Sequence, residues 1–147
     1  MIKNTNQTST KIQSVNNKWY VINAKNKNLG RLSSKVSHLL KGKNDPKYTP
    51  DKINNTNIII INSKYIKVTG NKKKQKLYKR HSGKPGGLKI ENFEKLNNRI
   101  PNKIIEHAIK GMLPKNRLGR MLFKKLKVYP ENQHPHKAQQ PINLDIY

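Results

Sequence analysis

The sequence predicts one α/β domain built on a parallel sheet, and three observations carry that expectation. A β-branched and aromatic run (Trp19, Tyr20, Val21, Ile22, Asn23) is followed within a few residues by an amphipathic helical pattern, the first half of a βαβ unit. Residues 58–61 are four consecutive isoleucines without polar alternation, which marks a strand buried on both faces, as central parallel strands are. The length of 147 residues suits a single core, and no change of composition demands a second.

Taken in order, the first 17 residues (MIKNTNQTSTKIQSVNN) are polar, with neither the apolar core of a secretory signal nor the arginines of an organelle transit peptide. They read as a mobile arm, 1–17, ahead of a domain at 18–129. In 29–41 the residues Leu32, Val36, Leu39 and Leu40 fall at i, i+4, i+7 and i+8 on one helical face, and Gly42 supplies a stop. Two prolines and four asparagines make 44–57 a loop before the isoleucine strand, and 65–69 reads as a third short strand. Helices follow. The first covers 90–98, with Ile90, Phe93 and Leu96 on one face. The second starts at Pro101, which a first turn tolerates, and continues through Ile104, Ile105, Ala108, Ile109 and Met112 until Gly111 and Pro114 interrupt it. The third covers about 118–126, where Leu118, Met121, Leu122 and Leu126 oppose Arg120, Lys124, Lys125 and Lys127. Beyond Tyr129, three prolines and the pair Gln139-Gln140 argue for an extended tail, 130–147, laid over a surface.

Charge narrows the function. Lys and Arg number 32 against 7 Asp and Glu, a formal net charge of +25 that is spread along the domain. Self-repulsion of that size opposes a compact state unless a polyanion neutralises it. A membrane is the weaker choice of polyanion: the apolar run 58–61 falls far short of the ~20 residues that span a bilayer, and no segment pairs a long apolar face with a basic one. Absence of cysteine excludes disulfides, thiolate zinc sites and cysteine nucleophiles. The counts of 27 Lys, 20 Asn and 16 Ile against 5 Arg point to an AT-rich coding genome rather than to a folding requirement.

The densest charge lies in 68–87 (VTGNKKKQKLYKRHSGKPGG), which carries Lys72, Lys73, Lys74, Lys76, Lys79 and Arg80 before Gly83, Lys84 after it, and no carboxylate. Such a segment cannot bury itself, since each unpaired ammonium removed from water costs several kcal/mol. A charge run is ordinarily a solvated surface loop. Here Tyr78, Arg80 and His81 interleave planar groups among the lysines, while Ser82, Gly83, Gly86 and Gly87 allow close backbone approach, which together suit folded or single-stranded RNA. No helix-turn-helix signature, base-reading helix or zinc ligand set points to duplex DNA. A second constellation is 110–120 (KGMLPKNRLGR), where one helix ends and another begins. An ordinary helix connection would look similar, but Lys110, Lys115, Arg117 and Arg120 surround amides at a new helix N-terminus that can bind phosphate. Four of the five arginines (Arg31, Arg80, Arg117, Arg120) sit in the segments singled out, and an arginine fork is what lysine cannot imitate.

Enzyme readings find little support. Gly83-Lys84 is no P-loop, because Tyr78 stands where the earlier glycine is required and Pro85 follows the lysine. His134 and His136 with His81 could suggest a metal, but His-x-His beside prolines in a basic tail is more often a polar surface contact. The seven carboxylates are scattered, so no acid–base pair stands out. The rival classes are a free-standing RNA chaperone or regulator, which would bind many RNAs without joining a particle, and an RNA-modifying enzyme, which would need a pocket of convergent acid–base groups.

One set of motifs recurs across the chain: Trp19-Tyr20-Val21-Ile22 with Leu29-Gly30-Arg31-Leu32, Tyr48-Thr49-Pro50, Val68-Thr69-Gly70-Asn71-Lys72, and His81-Ser82-Gly83 with Gly86-Gly87. Further on come Lys110-Gly111-Met112-Leu113-Pro114 with Leu118-Gly119-Arg120, Lys125-Leu126-Lys127-Val128-Tyr129, and the tail motif HPHKAQQP at 134–141. In this order and spacing they resemble the large-subunit ribosomal protein L-thirteen family over 18–146. The resemblance implies a three-layer α/β/α domain around a short, mainly parallel four-stranded sheet, embedded in large-subunit rRNA, with a role in early subunit assembly and no enzymatic activity. Matching positions imply rRNA contacts in 70–87, in 110–120 and in the basic helix that follows (Lys124, Lys125, Lys127). Arg31, Lys41 and Lys43 at the first helix, and His134 and His136 in the tail, complete the expected contact set. Expected partners are large-subunit rRNA and neighbouring ribosomal proteins, with no membrane, small-molecule substrate, cofactor or metal, and no homo-oligomer. One departure is that 53–57 reads INNTN where bacterial relatives usually carry an acidic Asp-Thr-Gly-Asp turn; asparagines tolerate the same left-handed conformations. The segments RHSGKPGG (80–87) and KIENF (89–93) look most like plastid versions, so the plastid stroma is the expected compartment, with a bacterial cytoplasm as the alternative.

Overall fold

The computed structural model describes residues 17–46, 48–51 and 53–146, so the arm expected at 1–17 lies, except for Asn17, outside the described residues. In chain order the elements are β1 (Lys18–Asn23), α1 (Leu29–Lys41), β2 (Thr56–Ile61), α2 (Lys72–Gln75), β3 (Leu77–His81), β4 (Leu88–Asn92), α3 (Phe93–Arg99), α4 (Pro101–Met112), α5 (Arg117–Lys124), β5 (Leu126–Val128) and β6 (Ile142–Asn143). Strands β5, β2, β1 and β6 form a four-stranded sheet in that order, and every pairing in it is parallel. A separate antiparallel ribbon is made by β3 and β4.

The expected α/β architecture follows from where the apolar residues sit. The β1–β2 register runs from Lys18↔Thr56 to Asn23↔Ile61, and alternate residues face opposite sides of the sheet. On one side Ile22, Ile58 and Ile60 meet Leu32, Val36 and Leu40 of α1, Phe93 and Leu96 of α3, Ile104, Ile105 and Ile109 of α4, and Leu122 of α5. On the other, Val21, Ile59 and Ile61 are covered by Trp19 and Tyr129. The third layer is thin and is closed by the chain after β5: His136 lies 5.4 Å from the Trp19 ring, and its Nε2 is 2.9 Å from the Tyr129 hydroxyl. Because Ile58, Ile59 and Ile60 are all fully buried, each stabilises the fold by about 1.5–3 kcal/mol, and the unbroken isoleucine run is explained by its central place between β1 and β5.

Helix α1 occupies the span that its periodicity predicts and ends at Gly42 in a left-handed conformation. Helix α4 begins at Pro101 as expected. Elsewhere the structure corrects the sequence reading. No strand forms at 65–69; a 3₁₀ turn covers Ser63–Tyr65, and Lys67 makes a single bridge to Asn28, because the β1–α1 loop offers one residue rather than a strand to pair with. The first of the late helices starts at Phe93, not 90. Residues Leu88–Asn92 are drawn into β4 by pairing with β3, which leaves Ile90 49 % exposed instead of sharing a face with Phe93 and Leu96. The last helix stops at Lys124, and Leu126 enters the sheet beside Ile58. Met121, read as part of that helix's apolar face, is exposed. The C-terminal tail also does more than lie on a surface: β6 extends the sheet next to Tyr20 and Val21, and Ile146 is buried in the main core.

Candidate nucleic-acid interface

The basic segment 68–87 is a short helical turn and one arm of a hairpin, not a loop. Helix α2 presents Lys72, Lys73 and Lys74, all exposed, and β3 and β4 then pair from Leu77↔Asn92 to His81↔Leu88. Strand alternation sorts the side chains: Tyr78, Arg80, Lys89 and Glu91 share one face, while Leu77, Lys79, His81, Leu88 and Ile90 share the other. The connection 82–87 is held by its own hydrogen bonds. Gly87 N donates to the Lys84 carbonyl at 3.0 Å, and Ser82 N donates to the Gly87 carbonyl at 3.3 Å. Gly83 and Gly86 adopt φ of 84° and 69°, a region that a side chain disfavours, so the tight turn depends on them. Gly83 N also donates to His81 Nδ1 at 2.9 Å, which assigns that nitrogen as the acceptor and leaves Nε2 to donate outward to an anion.

The second basic cluster is fixed by a close backbone approach. Asn116 caps α5 by accepting from Gly119 N at 2.8 Å, and a Cβ at Gly119 would stand only 1.8 Å from the Pro114 carbonyl oxygen. Only glycine lets the first turn of α5 press against 114, and that contact sets the outward direction of Lys115, Arg117 and Arg120, all exposed. The cap consumes the Gly119 amide, so this helix end offers an anion its remaining first-turn amides together with its exposed side chains.

Hairpin and helices enclose a cleft of about 510 Å³ between Tyr78 and Arg80 on one side and α3–α4 on the other. Its apolar wall is Leu96, Ile100 and Phe123. Tyr78 and His107 meet edge to face across it, ring centroids 5.6 Å apart at 78°, and Lys76 Nζ lies 5.6 Å from the centre of the Tyr78 ring. Burial pushes the Tyr78 phenol above its ordinary value, so it stays protonated and able to donate. The two carboxylates of the cleft are held by cations: Arg99 Nη2 contacts both oxygens of Glu91, at 2.8 and 2.7 Å, and Lys103 Nζ contacts Glu106 at 2.8 Å. Neither is set opposite another carboxylate as an acid–base pair. Lys79, Arg80, Lys89 and Lys110 also line this cleft, and among the described residues none of them has a carboxylate partner.

Comparison with known proteins then decides the family. The model of the family described as ribosomal protein L13 matches residues 17–135. The chain belongs to the ribosomal protein L13 family. Among its relatives, large ribosomal subunit protein uL13 of the cyanobacterium Crocosphaera subtropica is 58 % identical over 134 residues, covering 91 % of this chain and 89 % of that protein. Large ribosomal subunit protein uL13c of Porphyra purpurea is 59 % identical over 84 % of this chain and 87 % of its own length, and that of Gracilaria tenuistipitata is 61 % identical over 84 % and 86 %.

In this L13-family chain the sequence-predicted cations separate into two kinds. Lys43, Lys84, Lys124 and Lys127 are exposed, as is Arg31 on α1. Lys41 and Lys125 are turned inward to the chain's own oxygens. Lys41 Nζ donates to the Met112 carbonyl at 2.9 Å, tying α1 to the end of α4. Lys125 Nζ donates to the Asn54 carbonyl at 2.6 Å and to Asn55 Oδ1 at 3.1 Å, and desolvation lowers its pKa. The asparagines at 54–55 thus hold a half-buried lysine, and Asn54 Nδ2 also reaches the Leu39 carbonyl at 3.2 Å. His134 and His136 stack near the Trp19–Tyr129 pair on the second face of the sheet, away from the hairpin cluster. Sequence reasoning missed Lys89, Lys103 and His107 as neighbours of Tyr78 and Arg80. The available signal was the spacing 103, 107, 110 on the polar face of α4.

Proposed function

We propose that this chain is a structural constituent of the large ribosomal subunit that binds large-subunit rRNA, supports early subunit assembly and carries out no catalysis. The observation that carries the reading is membership of the L13 family together with basic groups on α2, the β3–β4 hairpin and the α4–α5 junction that lack carboxylate partners among the described residues. The contacts proposed to meet phosphate are Lys72, Lys73, Lys74, Lys79, Arg80 and Lys84 from the first region and Lys110, Lys115, Arg117 and Arg120 from the second, joined by Lys124 and Lys127. His81 adds a donor at the hairpin tip. Lys41, Lys125, His134 and His136 serve instead to hold the domain together, which supports the surface presented to RNA. Domain limits are read as a core at 18–129 that the tail completes, since β6 joins the sheet and Ile146 enters the core. The setting we infer is the plastid ribosome, supported by the red algal uL13c relatives and by the lysine- and asparagine-rich coding bias.

If about 6–10 phosphates are neutralised, affinity for the large-subunit rRNA should fall by roughly 10³–10⁵-fold between 50 and 200 mM salt. Filter binding across that range tests the mechanism, and a flat response would remove it. Sedimentation of a cell extract tests the setting: the protein belongs with large subunits, and recovery mainly in light fractions would favour a free-standing RNA chaperone.

A further inference from the structure

We infer that the cleft between the β3–β4 hairpin and helices α3–α4 takes a single unpaired nucleotide of the bound rRNA, its base against the apolar wall and its phosphate at the rim cations. The inference rests on the rRNA-binding reading above and adds a mode of contact that charge alone does not supply.

Shape comes first. A duplex backbone presents phosphates on a convex surface, and exposed lysines suffice to meet it. A concave site of about 510 Å³, within the ~300–1,000 Å³ range of small-ligand clefts, accepts a group that projects from the chain. Its chemistry then identifies that group. Leu96, Ile100 and Phe123 form an apolar wall, and the exposed His107 ring, braced edge to face by Tyr78 at 5.6 Å, adds a planar surface, the kind of surface on which an unpaired base stacks. At the rim, Arg80, Lys89 and Lys110 have no carboxylate partner among the described residues. The acidic groups present do not repel an anion, because Arg99 and Lys103 already neutralise Glu91 and Glu106. Glu106 spends only one oxygen on Lys103, so its other oxygen can accept from an exocyclic amino group, and the protonated Tyr78 hydroxyl can donate.

The arrangement is specific to one face of the hairpin. Tyr78, Arg80 and Lys89 project towards α4, while Leu77, Leu88 and Ile90 project away from it. A base entering the cleft would therefore lock the hairpin to the helical layer at the moment of RNA binding, and a polylysine of equal charge could not reproduce that.

The test is short-wavelength ultraviolet crosslinking of the full chain bound to full-length plastid large-subunit rRNA, followed by mass spectrometry of nuclease-trimmed peptides. Nucleotide adducts are expected on Tyr78, His107 or Phe123. Replacement His107→Ala, at an exposed helical position that alanine suits, should remove part of the stacking surface and weaken binding about fivefold or more, with the salt slope unchanged because no phosphate contact is lost. Ile100→Trp, which fills the cleft instead of opening it, should weaken binding as well. A salt-dependent complex whose adducts all lie outside the cleft, and whose affinity His107→Ala leaves unchanged, overturns the inference while leaving the functional reading intact. Loss of any salt-dependent complex overturns the functional reading instead. Titration with AMP and UMP alone distinguishes the source: micromolar shifts of the Tyr78 ring resonances would assign the cleft to a free nucleotide and overturn the rRNA assignment.

Discussion

Replacing Gly119 by alanine adds one methyl group to a junction that has no room for it. The new Cβ would stand 1.8 Å from the Pro114 carbonyl oxygen, 2.8 Å from its carbon and 3.3 Å from its Cα, all of them backbone atoms that cannot rotate away. The first turn of α5 must therefore retreat, and overpacking of this kind costs about 1–3 kcal/mol, with a backbone obstacle at the upper end. Retreat also stretches the hydrogen bond from Gly119 N to Asn116 Oδ1, now 2.8 Å, and a lost cap adds about 1 kcal/mol. The intrinsic preference of a helix for alanine returns at most ~1 kcal/mol. A net loss of about 3 kcal/mol corresponds to a melting temperature lower by roughly 6–12 °C for a domain of this size. Gly111→Ala is the matched control: nothing lies within 4 Å of its Cβ, so the same change near the end of α4 should leave stability unchanged or raise it by up to ~0.5 kcal/mol. Thermal unfolding followed by circular dichroism at fixed ionic strength compares the two, with the salt held constant because the chain is strongly charged. Equal melting temperatures for both variants would refute the close approach, and with it the claim that glycine sets the direction of Arg117 and Arg120.

Other consequences are open to measurement. Arg80→Lys, Arg117→Lys and Arg120→Lys keep the charge and should keep the salt slope, while each lost fork lowers rRNA affinity by about 2- to 10-fold; wild-type affinity in all three would mean that charge alone matters there. Lys125 has its folded pKa depressed by desolvation, so the unfolded chain holds that proton more tightly. Its contribution to stability therefore rises with pH as the folded, then the unfolded, group titrates towards 10.5. Lys125→Met should abolish this rise, and denaturant unfolding between pH 8 and 10.5 ought to show wild type gaining on the variant; parallel curves would contradict the assignment. Ser63→Ala removes a buried hydroxyl that donates to Asn102 Oδ1 at 2.6 Å, joining the turn after β2 to the first turn of α4, and should cost about 1–2 kcal/mol in urea unfolding.

What the sequence alone determined was whatever depends on local pattern or bulk charge. Periodicity placed α1 at 29–41, the start of α4 at Pro101 and a doubly buried strand at 58–61, because an apolar repeat is a property of neighbouring residues. Composition demanded a polyanion, and the ordered motifs from Trp19 to the tail were enough to suggest the L13 family that comparison then established. Tertiary structure decided what depends on partners distant in sequence. Residues 88–92 alternate too weakly to declare a strand and become one only because 77–81 lies opposite, which turns a supposed loop into a two-faced ribbon. The pair Ile142–Asn143 is too short to predict, yet it completes the sheet because the edge of β1 is free to accept it. Lys41 and Lys125 resemble any other surface lysine in a basic chain, and only folding brings them to the Met112 and Asn54 carbonyls. The cleft is the clearest case. Tyr78, Ile100, His107 and Phe123 come from different elements, and no local pattern joins them until the hairpin is laid against α3 and α4.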